Sequence, residues 1–298
     1  MSIIQSVAVI GLGSMGMGVA KSCLRAEFDV YGIDINPQAL ETLTTCGAKA
    51  TATSAVPFAK ALDAVVIVVV NAQQVRTVLF DSGLAAALKP NTPVMVCATI
   101  SAEDAKAIAA ELAVYALPML DAPISGGAAK AEAGELTVMA SGPQSVFARL
   151  EPVLSAVAGQ VYPVGDAIGM GSTVKIIHQL LAGVHIAAGA EAMAMAARAN
   201  IPLDLMYDVV THAAGNSWMF ENRMKHVVDG DYSPTSMVDI FVKDLGLVAE
   251  TAKSLHFPLP LASTALNMFT TASNAGYGKE DDSAVIKIFP GITLPNKE

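Results

Sequence analysis

The first forty residues restrict the fold more than any other part of the chain. Ser6-Val7-Ala8-Val9-Ile10 is a short β-branched and apolar run, and Gly11-Leu12-Gly13-Ser14-Met15-Gly16 follows it directly. A helical pattern then passes through Val19, Ala20, Cys23 and Leu24, and Asp29-Val30-Tyr31-Gly32-Ile33 reads as a second strand ending on Asp34. Strand, Gly-x-Gly-x-x-Gly, helix, strand and acidic residue, in that order, make a dinucleotide-binding βαβ unit. Each glycine has its own task. Gly11 permits the tight turn, Gly13 lets the backbone approach a pyrophosphate, and Gly16 lets helix and strand pack closely. Leu12, Ser14 and Met15 complete the turn, and the helix N-terminus faces the phosphates. Asp34 suits both ribose hydroxyls and repels a 2′-phosphate. The residues after it, Ile35-Asn36-Pro37, include no arginine, so NAD is expected over NADP.

With 298 residues the chain is too long for one small core, which predicts two domains. Apolar residues make up 53% and charged residues 15%, a globular balance. The net charge is −9 with no Lys/Arg cluster, which argues against nucleic acid as a partner. Cys23, Cys46 and Cys97 have no paired spacing and read as reduced thiols filling core space. The N-terminus lacks a basic segment ahead of an apolar one, so no signal peptide and a cytoplasmic compartment are expected. The longest apolar stretch, Leu180 to about Ala197, includes His185, Glu191 and glycines, and reads as a buried helix between domains or subunits, not a membrane span.

The α/β alternation continues. Ala64 to Val70 is a continuous apolar strand with Asn71 at its C-terminal, ligand-side end. Val94 to Cys97 is the next strand. Thr99 follows near the expected nicotinamide, and reads equally as a turn hydroxyl. Ser101 is an expected helix cap with Asp104 three residues on. Met119-Leu120-Asp121-Ala122-Pro123 ends another strand, and Ser125-Gly126-Gly127 follows. Consecutive N–H groups in such a turn, with the serine hydroxyl, can seat a carboxylate; the turn also reads as a turn alone. Strands over Gly134–Ser141 and Gln160–Val164 flank a helix from Gln144 to Ala156. The first domain is expected to span 1–165, an interdomain helix 166–200 and an all-helical domain 201–298. In the last, helices are expected over Leu203–His212, Trp218–Val228, Met237–Leu255 and Leu261–Ala275, with the final eight residues frayed.

The segment opening Gly169-Met170-Gly171-Ser172-Thr173 carries Lys175, His178 and Gln179 at i, i+3 and i+4, one face of a helix. Among Val174, Ile176, Ile177, Leu180 and Leu181 these polar groups either face solvent or form a site. Ser217-Trp218-Met219-Phe220 reads as core or substrate cleft, and Lys243-Asp244 as a cofactor contact or a surface ion pair. No His/Asp/Glu spacing suggests a metal.

Together these pieces resemble the β-hydroxyacid dehydrogenase family, which includes 3-hydroxyisobutyrate dehydrogenases, tartronate semialdehyde reductases and 6-phosphogluconate dehydrogenases. The motifs are Gly11–Gly16, Asp121-Ala-Pro-Ile-Ser-Gly-Gly127, Gly169-x-Gly171…Lys175-x-x-His178-Gln179 and Lys243-Asp244-Leu245, and the match covers nearly the whole chain. The resemblance implies an α/β Rossmann dinucleotide-binding domain followed by an all-α domain, joined by a long interdomain helix, with the active site in the cleft between them. It implies Lys175 as general base, and Ser125, Gly126, Gly127, His178 and Gln179 as substrate-binding residues. Lys243 would join Gly11 to Gly16, Asp34, Asn71 and Thr99 as cofactor-binding. A lysine can act as a base near neutral pH only where burial lowers its pKa. The chain departs from the family at His178, where asparagine is common, and at Cys97-Ala98-Thr99. The run Lys175 to His185 looks most like the L-threonate dehydrogenases of the family, which implies oxidation of L-threonate to 2-dehydro-L-erythronate. A 3-hydroxyisobutyrate dehydrogenase or tartronate semialdehyde reductase is the alternative enzyme. A non-catalytic dinucleotide-binding metabolite sensor is the alternative class. A homodimer or homotetramer is expected.

Overall fold

The computed structural model describes residues 4–296. The chain forms two compact units that divide between Lys175 and Ile176. The first contains β1 (Ser6–Ile10), α1 (Ser14–Arg25), β2 (Asp29–Ile33), α2 (Pro37–Thr45), β3 (Ala50–Ala52) and β4 (Ala64–Ile67). It continues with α3 (Ala72–Arg76), α4 (Leu84–Ala87), β5 (Val94–Val96), α5 (Ala102–Val114), β6 (Met119–Asp121) and β7 (Ile124–Ser125). α6 (Gly127–Ala133), β8 (Leu136–Ser141), α7 (Gln144–Val157) and β9 (Ala158–Gly165) complete the sheet and its cover.

The strands lie in the order β3-β2-β1-β4-β5-β6-β8-β7, with β9 on β8. From β3 to β6 every pair is parallel, and β8 then runs antiparallel to β6 and β7. Alternate residues of each strand supply opposite faces. Val7, Val9 and Val66 enter one apolar cluster with Val19, Cys23 and Leu150; Ala8, Ile10, Val65 and Ile67 enter another with Leu79, Ile108 and Leu112. That double burial is why the strands read as unbroken apolar runs. β4 stops at Ile67, short of the sequence run to Val70, because the chain turns there: the Val70 amide donates to Gln74 Oε1 at 2.8 Å. Strand order reverses direction at β1 and β4, the place where open α/β sheets bind ligands.

α8 (Met170–Arg198) begins in the first unit and continues into the second. The second unit adds α9 (Leu203–Thr211), α10 (Trp218–Asp229), α11 (Val238–Ser254) and α12 (Pro260–Ala272). α8 is long and apolar enough to cross a membrane by length and composition. Its Ile176, Ala182, Ile186, Ala190 and Met193 instead pack with Phe220, Met224, Phe241, Leu245 and Phe269 in the helical core. The Phe241 and Phe269 rings stack at 5.1 Å.

Three expectations change. Cys46 is exposed at the end of α2, while Cys23 and Cys97 are buried; burial pushes the Cys23 thiol up to about 12 and raises Cys97 as well. Trp218 is half exposed, whereas Phe220 beside it is core. The tail is not frayed through Asn296: Ile292 and Leu294 pack on the helical core, and Gly230 has no room for a side chain against Pro295. Lys297 and Glu298, the last of those eight, lie outside the described residues.

Candidate active site

The turn after β1 separates its three glycines by physical role. Gly11 has φ +90°, its amide donates to the Ile33 carbonyl at 2.8 Å, and a Cβ there would lie 2.5 Å from the Val68 carbonyl. A Cβ on Gly16 would lie 1.8 Å from the Gly11 carbonyl, so α1 packs onto the turn itself rather than only onto the strand. A Cβ on Gly13 would meet nothing within 4 Å. Gly13 is therefore the open side of the turn, at the N-terminus of α1, as a pyrophosphate requires. Ser14 opens the helix and Met15 leans on the core beside the sheet. Asp34 accepts from the Leu12 amide at 2.6 Å and the Asn36 amide at 2.7 Å, tying the glycine turn to the end of β2. These residues fit a dinucleotide. Asn71 caps α3, accepting from the Gln74 amide at 2.9 Å, and Thr99 is half-buried just beyond β5.

Ser125 ends β7, and Gly126 (φ +137°) and Gly127 (φ +74°) lead into α6. A Cβ on Gly126 would crowd Lys130, while one on Gly127 would meet nothing within 4 Å. The turn thus combines backbone that side chains rarely adopt with open space beside Gly127.

Asp121 is the residue whose role the sequence hides. It is wholly buried at the end of β6, and it caps α8. Its carboxylate accepts from the Gly169 amide at 3.0 Å, the Ser172 amide at 2.9 Å, the Ser172 hydroxyl at 2.7 Å and the Ser141 hydroxyl at 3.2 Å. The Ser141 hydroxyl oxygen in turn accepts from the Gly171 amide at 2.9 Å. Burial raises the Asp121 carboxyl above its usual range, and these donors offset only part of that rise. Gly171 fits because a Cβ would sit 2.5 Å from the Met139 carbonyl and 2.7 Å from that of Asp121. Gly169, Gly171 and Ser172 are thus a backbone docked on β6 and β8 and capped from the sheet. Lys175 follows Ser172 by three residues and is 5% exposed, which removes the solvent-facing reading of this helix face.

Within the second unit, Gln179 and Asp244 are buried and joined: Gln179 Nε2 donates to Asp244 Oδ2 at 2.5 Å. Gln179 Oε1 lies 3.0 Å from His178 Nδ1, and Lys243 Nζ lies 2.7 Å from Asp244 Oδ1. Asp244 is 2% exposed, so Lys243-Asp244 is no surface pair. A separate network holds the end of this unit. Arg223 pairs with Asp282 at 2.7 Å and His226 with Asp281 at 3.2 Å. No group of three or more His, Cys, Asp or Glu is placed to hold a metal ion among the described residues.

Residues 6–165 match the NAD binding domain of 6-phosphogluconate dehydrogenase, and residues 169–289 match the NAD-binding domain of NADP-dependent 3-hydroxyisobutyrate dehydrogenase. The chain belongs to the β-hydroxyacid (3-hydroxyisobutyrate) dehydrogenase family. An L-threonate dehydrogenase of Pectobacterium atrosepticum is 71% identical over 98% of this chain and 97% of its own. That of Escherichia coli K12 is 69% identical over 97% and 96%. A solved structure described as a 3-hydroxyisobutyrate dehydrogenase from Salmonella typhimurium is 70% identical, covers 96% of this chain and all of its own, and superposes with a TM-score of 0.93. The protein is therefore a nicotinamide-dinucleotide-binding oxidoreductase that acts on a small hydroxy acid, and the sensor reading is set aside.

Proposed function

We propose that this β-hydroxyacid dehydrogenase oxidises L-threonate to 2-dehydro-L-erythronate with NAD, and that Lys175 is the general base. The observation that carries the base is a lysine 5% exposed on an apolar helix, one turn beyond a start fixed by Asp121. The substrate carboxylate takes the Ser125-Gly126-Gly127 turn. Lys175 Nζ accepts the proton of the hydroxyl being oxidised and returns it in the reverse direction. His178 and Gln179 orient the substrate's hydroxyls. A bound nicotinamide supplies the hydride acceptor. Asp34 favours NAD over NADP because a 2′-phosphate would meet its carboxylate, and Lys243, Asn71 and Thr99 complete the cofactor set. The division into a Rossmann domain, a joining helix and a helical domain, a cytoplasmic setting and a homodimer or homotetramer belong to the same reading.

The L-threonate assignment is supported by curated relatives at 69–71% identity. A 3-hydroxyisobutyrate specificity is favoured by the description of the Salmonella structure, and tartronate semialdehyde reduction remains the other family alternative. Lys175→Ala tests the base. Turnover is expected to fall by at least about a thousandfold, within the range that loss of a general base produces, while NADH affinity by fluorescence titration stays nearly unchanged. Turnover close to that of the unsubstituted enzyme would end the assignment.

A further inference from the structure

Asp244, Gln179 and His178 form a chain whose donors and acceptors can be ordered. A carboxylate only accepts, so the side of Gln179 facing Asp244 must be its NH2 group, which donates at 2.5 Å. The amide oxygen is then left facing His178 Nδ1 at 3.0 Å. An amide oxygen only accepts, so Nδ1 must carry a hydrogen. In the neutral ring that leaves the lone pair on Nε2. Lys243 Nζ lies 2.7 Å from the other Asp244 oxygen, so that oxygen also faces a donor. Asp244 and Gln179 are both buried, so exchange with water does not offer the amide an easy alternative partner.

We propose that Asp244 is a positioning residue that sets the tautomer of His178 through Gln179, so that the ring presents Nε2 as an acceptor to a substrate hydroxyl. An asparagine at position 178 would present an amide that can turn either way. A histidine with its tautomer fixed accepts at one defined atom, and so selects a substrate with a hydroxyl donor there. The inference rests on the placement of His178 at the substrate in the proposed function.

The test reads the ring directly. Histidine labelled with nitrogen-15 gives long-range proton–nitrogen correlations that distinguish the two neutral tautomers, and His178→Asn identifies the signal among the five histidines. The unsubstituted enzyme should show Nδ1–H. In Asp244→Asn the new amide can donate to Gln179 Oε1. The glutamine then turns, and its NH2 forces the ring to Nε2–H. The KM for L-threonate should rise roughly 10- to 100-fold, as for one lost buried hydrogen bond, with a smaller change in kcat. Asp244→Asn combined with Gln179→Glu rebuilds the original order, because the asparagine donates to one glutamate oxygen and the other accepts from Nδ1–H. The double variant should return the tautomer and recover much of the KM. It also carries the test if the single variant does not fold. An Nδ1–H ring in Asp244→Asn, or an Nε2–H ring in the double variant, would overturn the positioning role whatever the kinetics. A tautomer that moves as expected with an unchanged KM would leave the relay standing, and would overturn both the substrate-facing role of His178 and its placement in the proposed function.

Discussion

Asp121 and Asp244 are both almost fully buried and both hold α8, yet they are satisfied in different ways. Asp121 is surrounded by dipoles, two backbone amides and two hydroxyls, and it fixes where the helix backbone begins. Asp244 is balanced by Lys243 and receives one side-chain amide. It fixes no backbone; it orders the hydrogens of Gln179 and His178. A carboxylate at a helix N-terminus is favoured by the aligned peptide dipoles and needs no cation to be useful there. A carboxylate against a side-chain amide in the middle of a helix gains no such help, and the adjacent lysine supplies its charge balance. One carboxylate therefore governs the depth and register of Lys175, and the other the proton positions on the residues that follow it.

The contrast breaks most visibly at Asp121. Asp121→Ala strands two amides and two hydroxyls in a dry site, a loss of about 3–5 kcal/mol. The melting temperature should drop by roughly 10 °C for a unit of this size, and turnover should fall with it because Lys175 loses its register. A drop in stability with unchanged turnover would show that the cap does not position the lysine. Gly171→Ala attacks the same docking from the other side. Two backbone oxygens stand within 2.7 Å of the new methyl, so the start of α8 must shift, at a cost of about 1–3 kcal/mol. Kinetics should show a lower kcat with NAD affinity preserved; a neutral alanine would contradict the tight seat.

Asp34→Ala, far from either carboxylate, should act on the cofactor alone. It removes the acceptor of the Leu12 amide as well as the group expected to repel a 2′-phosphate. The NAD preference over NADP should shrink by roughly tenfold or more, about the worth of one charged hydrogen bond, with KM for the hydroxy acid unchanged.

The smallest effect belongs to the second unit's other ion pairs. The hydrogen bond from His226 to Asp281 raises the histidine above its ordinary value of 6.5. Its contribution to stability is full below that value and is lost as pH rises through the raised one. Burial pushes Asp282 up to about 7 against the pull of Arg223, and burying it also costs stability as pH rises from its ordinary 3.8 toward 7. Both therefore have the same sign: melting temperature should decline from pH 6 to pH 8. His226→Gln should flatten that slope while leaving activity alone. An unchanged slope would place the titration elsewhere.

The sequence shows the glycine turn and Asp34 because every part of that unit is local: strand, turn, helix and acid stand within thirty residues. The strands of the parallel sheet are equally plain, since burial on both faces leaves no polar residues to interrupt them. Asp121 reads only as the end of a strand, because its partners lie 20 and about 50 residues away, across β8 and at the start of α8. The glycines and the Ser-Thr pair at 169–173 look like an ordinary local helix start, which hides the distant carboxylate that caps it. The relay from Asp244 to His178 was further from reach. It joins residues 65 apart, and nothing in the spacing says which glutamine atom faces which neighbour. β4 ends three residues before its apolar run does, because the Gln74 side chain takes the Val70 amide and the chain turns there.

The proposed reaction passes hydride from a four-carbon sugar acid to NAD. Steady-state rates with L-threonate, glycerate and 3-hydroxyisobutyrate, each against NAD and NADP, measure that preference. L-threonate with NAD should give the highest kcat/KM, by at least about tenfold over every other pairing, the worth of one substrate hydroxyl correctly bound. A higher value for 3-hydroxyisobutyrate, or for NADP, would contradict it.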